Sequence, residues 1–108
     1  MKSVVFGMIA VLASAAFAGA QDKVARGEKV YADNKCALCH SIGDKGNKKG
    51  PLDAVGSKYS MADLKSWIVD ATGMTTKTKA ERKPPMKNYS LSPDDVDALV
   101  AYMQTLKK

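Results

Sequence analysis

The chain is 108 residues long, with 17 Lys and Arg against 11 Asp and Glu, a formal net charge of +6 and a single His. That length leaves room for one small domain, and the basic excess bears on solubility and anionic partners rather than on fold. With no zinc-finger, RRM or basic-helix signature, the charge does not point to nucleic acid.

In chain order, the first predicted element is a leader. Residues 1–20, MKSVVFGMIAVLASAAFAGA, carry an early lysine, an apolar run from Val4 to Leu12 and a closing stretch of small residues. Ala16-Phe17-Ala18 and Ala18-Gly19-Ala20 both fit the A-x-A cleavage pattern. The apolar run is shorter than the ~20 residues a spanning helix needs. The reading is a cleaved signal peptide, with processing after Ala18 or Ala20 and export to the periplasm; the alternative is an uncleaved N-terminal anchor. Residues 21–108 then form the single domain.

A domain that small buries only ~60–65% of its unfolded surface, so it needs a disulfide, a metal or another staple besides aliphatic packing. Helical periodicity marks 22–35, where Val24, Gly27, Val30 and Tyr31 share one side. A second helix is expected over 60–73, with Ser60 as N-cap and Leu64, Trp67, Ile68 and Ala71 as its apolar stripe. Gly73 reads as its C-terminal stop. A third begins at Ser92, with Pro93 in the first position and Asp94 and Asp95 in the first turn. Its apolar face is Val96, Leu99, Val100, Met103 and Leu106. Residues 41–57 and 74–91 read as irregular loops, and no stretch alternates with period two for long enough to predict a sheet. The expected class is all-α, with about three main helices and long functional loops.

The chemistry lies in Cys36-Ala-Leu-Cys-His40. A zinc site would draw on the same three side chains, but Cys36, Cys39 and His40 are the only Cys and His residues in the chain, and a fourth ligand would have to be a carboxylate. A thiol–disulfide centre would also use C-x-x-C, but it normally rides on a βαβ scaffold, and no strand precedes this one. C-x-x-C-H is also the attachment sequence for c-type haem, and this third reading uses every residue. Two cysteines on one side of a helical turn can each add to a haem vinyl group, and the adjacent His40 is carried under the ring to bind iron. The macrocycle would supply the missing core.

One histidine excludes bis-histidine ligation within one chain. Among Met61, Met74, Met86 and Met103, the second axial ligand is expected to be Met86, whose loop is stiffened by Pro84-Pro85. Met74 is the competitor, and an open or water-filled sixth position is the further alternative.

On these residues the chain resembles a class I cytochrome c of the small bacterial, monohaem type. Gly27 and Tyr31 resemble the family's small-then-aromatic pair, and Leu99 and Tyr102 its partner pair on the last helix. Gly50-Pro51-Leu52 resembles the Gly-Pro-x-Leu element, and PPMKNYSLSPDD the methionine loop. The resemblance implies a domain wrapped around one covalently bound haem c, with Pro51 offering its carbonyl to the ring of His40. Lys58 stands near where the family often places a propionate-binding arginine. Trp67 either donates its indole N–H to a propionate or is part of the helix-face core.

The expected function is that of a soluble monohaem electron carrier, not an enzyme and with no catalytic residues. Its haem iron would be held by His40 and Met86. Lys45, Lys48, Lys49, Lys83 and Lys87 would steer the molecule, expected to be a monomer, onto acidic patches of redox partners, or would serve only as a solvated surface. The alternatives are a haem protein with a labile sixth site that binds small ligands or reacts with peroxide, and a dedicated subunit of an oxidoreductase complex.

Overall fold

A computed structural model describes residues 19–107. The expected leader, apart from Gly19 and Ala20, lies outside the described residues. The first helix, α1, covers residues 19–33, and a 3-10 turn over Cys36–Leu38 follows it. A two-residue antiparallel ribbon comes next, β1 (Ser41–Ile42) against β2 (Lys45–Gly46). Then come α2 (Val55–Lys58), α3 (Met61–Val69), α4 (Ala71–Thr78) and α5 (Pro93–Gln104).

The caps expected at α3 and α5 are formed. The Ser60 hydroxyl accepts the Asp63 N–H at 3.1 Å, and the Ser92 hydroxyl accepts that of Asp95 at 3.2 Å. In each case an otherwise orphaned backbone donor is satisfied, which is worth ~1 kcal/mol.

The middle of the chain departs from the expectation. Gly73 does not stop a helix. The first run ends at Val69, and Asp70 closes α3 while its carboxylate accepts the Gly73 N–H at 3.2 Å to open α4. Residues 74–78, expected in a loop, are helical as well. The sequence Ala-Thr-Gly-Met-Thr-Thr-Lys-Thr has poor intrinsic helix propensity. Tertiary burial compensates, because Ala71 is 0% and Met74 7% exposed. The loop expected over 41–57 likewise contains the ribbon and the start of α2.

Val30, Leu64, Ile68, Val96, Leu99, Val100 and Met103 form one buried cluster contributed by α1, α3 and α5. The α1–α5 crossing is its frame. A Cβ added at Gly27 would run into the Ala98 carbonyl oxygen and lie 2.7 Å from Tyr102 Cβ. The two backbones therefore approach more closely than any side chain at position 27 allows. Beside the crossing, Tyr31 and Tyr102 meet edge to face, with centroids 6.0 Å apart and an interplanar angle of 72°. At its other end Arg26 Nη2 and Nε reach Asp95 Oδ1 at 2.8 and 3.0 Å. That pair is half in water, which limits it to about 1 kcal/mol at most.

The Tyr31 hydroxyl is buried without a hydrogen-bond partner among the described residues. Burial, with smaller contributions from Cys36 and Tyr102, raises its pKa from 10.0 to about 12. The folded protein thus holds the phenolic proton more tightly than the unfolded chain does. Tyr31's contribution to stability is complete below pH 10 and is lost as pH rises through about 12. Alkaline unfolding followed by circular dichroism should move to higher pH in Tyr31→Phe, and an unchanged midpoint would refute this account.

Candidate haem site

The cysteine segment is built by close local geometry. Lys35 turns the chain in a left-handed conformation at φ 54°. The Cys39 and His40 N–H groups both donate to the Cys36 carbonyl, at 3.1 and 3.0 Å. A 3-10 turn has three residues per turn, so Cys36 and Cys39 stand on one side of it. Cys36 is half-buried, Cys39 is exposed, and neither is in a disulfide. The ribbon folds back onto this turn. The Asn47 N–H bonds the carbonyls of Ala37 at 3.1 Å and His40 at 2.9 Å, and its side-chain amide donates to the Leu38 carbonyl at 3.1 Å. Gly46, at φ 101°, lets the strand pass against the His40 carbonyl, where a Cβ would collide.

His40 is half-buried, and its Nδ1 lies 3.0 Å from the Gly50 carbonyl oxygen. A carbonyl can only accept, so Nδ1 carries the proton and Nε2 keeps a free lone pair. The pKa of His40 is lowered, chiefly by burial and further by the Arg82 cation, while the Gly50 bond works in the opposite direction. The ring is thus neutral and pointed by its backbone partner, as a metal-ligating imidazole must be. The carbonyl belongs to Gly50, not to Pro51 as expected. The Ser41 N–H already donates to Gly50 at 3.1 Å, and the Leu52 N–H returns to Ser41 at 2.8 Å, so Pro51 is held in a short parallel bridge to Ser41.

Trp67, Tyr59 and Lys58 are brought together. The Tyr59 and Trp67 rings meet edge to face at 6.4 Å, and Lys58 Nζ lies 5.3 Å from the centre of Tyr59. Trp67 Nε1 is buried and has no hydrogen-bond partner among the described residues. A buried indole donor left without an acceptor costs about 1–3 kcal/mol, so it fits a site completed by a group that brings its own acceptors.

Met86 is half-buried in the loop after α4, whereas Met74, its competitor, is enclosed within α4. Lys45, Lys48, Lys49, Lys83 and Lys87 are all exposed. Sequence reasoning counts Arg82 only as one of the basic residues around Met86. Its guanidinium packs on Gly50, with Cζ 3.0 Å from where a Cβ would lie, and so joins the loop carrying Lys48 and Lys49 to the one carrying Lys83. Its only sequence signal was membership of a basic cluster.

Two thiols on one face of a turn, a neutral histidine fixed through Nδ1, and buried donors awaiting acceptors define a protein built around a covalently attached haem. The family model for cytochrome c matches residues 24–107, and the chain belongs to that family, in its class I, all-α form. Covalently bound haem c, with its iron, is its cofactor. The chain is 29% identical over 91 residues to cytochrome c oxidase subunit 2 of Alkalihalophilus pseudofirmus, covering 76% of this chain and 25% of that protein. It is 47% identical over 53 residues to cytochrome c2 of Blastochloris viridis, covering 48% of this chain and 39% of that one. The chain therefore spans well under half the length of these relatives. No solved structure matches it. Among the described residues, no helix is long and apolar enough to cross a membrane.

Proposed function

We propose that the protein is a periplasmic single-electron carrier, exported by residues 1–20 and acting without catalysing a reaction of its own. Cys36 and Cys39 would hold haem c by thioether bonds, and His40 Nε2 and the Met86 thioether would ligate its iron. The observation that carries this reading is the His40–Gly50 bond of 3.0 Å, which fixes the tautomer and the ring of an axial ligand. When bound, haem supplies a one-electron iron couple, and a thioether ligand raises its potential relative to two histidines.

The protein's own residues do the rest. Trp67 Nε1 donates to a haem carboxylate and Lys58 stands nearby, while Pro51 stiffens the loop that aims His40. Leu38 lies between the cysteines and is 71% exposed, giving an apolar contact point beside Lys45, Lys48 and Lys49. With Lys83 and Lys87 these form a cationic rim for acidic patches on redox proteins, suited to brief, salt-sensitive contacts made by a monomer.

Absorption spectra of the oxidised and reduced protein test the ligation. The wild type should be low-spin with a weak far-red sulfur-to-ferric-iron band. Met86→Ala should lose that band and lower the potential by on the order of 0.1 V, a modest part of the ~0.8 V range axial ligands span. Met74→Ala should keep both. A high-spin ferric wild type that takes up carbon monoxide rapidly once reduced would replace the carrier by a small-ligand or peroxide-reactive haem protein.

The likeness to part of an oxidase subunit supports a second reading, a cytochrome dedicated to one oxidoreductase complex. Co-purification with that complex, and no free monomer on gel filtration, would favour it.

A further inference from the structure

The segment bearing Met86 is loosely held. Among the described residues, no backbone–backbone hydrogen bond engages 81–87. Downstream it is tied firmly: Asn88 Oδ1 accepts from the Thr72 N–H at 2.9 Å and the Thr72 hydroxyl at 3.0 Å, and the Tyr89 N–H donates to the Ile68 carbonyl at 2.9 Å. Upstream the last backbone tie is the Ala80 N–H on the Thr75 carbonyl at 3.1 Å. Between these ties lies the contact of Arg82 with Gly50, the residue whose carbonyl holds His40 Nδ1. Arg82 forms no ion pair among the described residues. The guanidinium brings its Nη1 against Gly50, into the space that a Cβ at position 50 would fill, and the single-point ammonium of a lysine at position 82 does not reproduce that forked donor group.

We propose that Arg82 is a positioning residue that latches the methionine loop to the histidine loop and so governs how readily Met86 leaves the iron. The proposal rests on the His40/Met86 reading. With the latch closed, the segment is pinned on both sides of Met86. With it open, 81–87 is free from Ala80 to Asn88, and local opening of the loop becomes the least costly excursion of the site. An incoming ligand binds only the open form, so its apparent affinity falls in proportion to how rarely the loop opens.

The test is an imidazole titration of the ferric holoprotein, following loss of the far-red band. Wild type would be compared with Arg82→Lys, Arg82→Ala and Lys65→Ala, the last removing the same charge from α3. Arg82→Ala should bind imidazole about tenfold more tightly and Arg82→Lys by an intermediate amount, with Lys65→Ala matching wild type. Denaturant midpoints should stay close together, because a local latch is not part of the global core. Imidazole affinity within about twofold of wild type in both Arg82 variants would overturn the latch while leaving His40/Met86 ligation standing. If Arg82→Ala does not accumulate, Arg82→Lys decides alone. A wild type without the far-red band would overturn the ligation and the latch together.

Discussion

Gly27→Val should destabilise the protein by about 3 kcal/mol or more. The crossing brings position 27 against the Ala98 carbonyl and Tyr102 Cβ, and neither can give way. The Ala98 carbonyl belongs to the backbone of α5, and Tyr102 is fixed by its contact with Tyr31. Valine therefore has to push α1 off α5, uncovering Val30, Leu99 and Val100 together and pulling Arg26 away from Asp95. Overpacking a tight interior commonly costs 1–3 kcal/mol, and separation of two backbones lies at or beyond the upper end. Against the ~5–15 kcal/mol that holds a typical domain folded, about 3 kcal/mol or more is a large share. Chemical denaturation of Gly27→Ala and Gly27→Val in parallel would check this. A valine variant within 1 kcal/mol of wild type would mean that the helices do not cross as described.

Replacing both cysteines by alanine should have an effect as large, by another route. Cys36→Ala/Cys39→Ala leaves His40 and its Gly50 bond intact but removes both thioether anchors. Haem should then be lost on a denaturing gel stained for haem, while either single variant should retain part of the signal. The double variant should also fail to accumulate. Without haem, the small α1–α3–α5 cluster is left alone to offset the ordering of the chain, with the Trp67 indole N–H, buried and unpartnered among the described residues, costing roughly 1–3 kcal/mol. Haem still migrating with the double variant would place the attachment elsewhere in the chain.

Where local chemistry and tertiary structure agree, the sequence was a sufficient guide. Ser92-Pro93-Asp94-Asp95 is an N-terminus in its own right, and α5 begins there. Cys36, Cys39 and His40 sit on the turn their spacing demands. The near misses have a common cause, since each turned on a contact between distant segments. Gly73 carries the stop signal of a helix, yet Asp70 three residues earlier starts a new one, because burial of Ala71 and Met74 outweighs the glycine. The choice between the Gly50 and Pro51 carbonyls depends on a twist of the backbone that spacing does not encode. Arg82 looked like one cation among many, because nothing local says that a glycine 32 positions earlier offers it a seat. The indole of Trp67 was legible as a residue with two uses; its buried, unpartnered nitrogen is what favours haem contact.

The α1–α5 crossing also bears on the order in which the molecule assembles. Arg26 and Asp95 are 69 positions apart, whereas His40 and Gly50 are separated by 10. Loop-closure entropy alone sets the longer contact back by about 2 kcal/mol relative to the shorter. The turn that presents Cys36 and Cys39 is closed by hydrogen bonds spanning only a few residues, and it can form while α5 is still absent or unstructured. A chain emerging from its N-terminus would thus show its two thiols and its histidine in working order well before the last helix arrives to close over α1. Attachment of the prosthetic group and completion of the fold are separable in time, and the glycine at position 27 marks the later event.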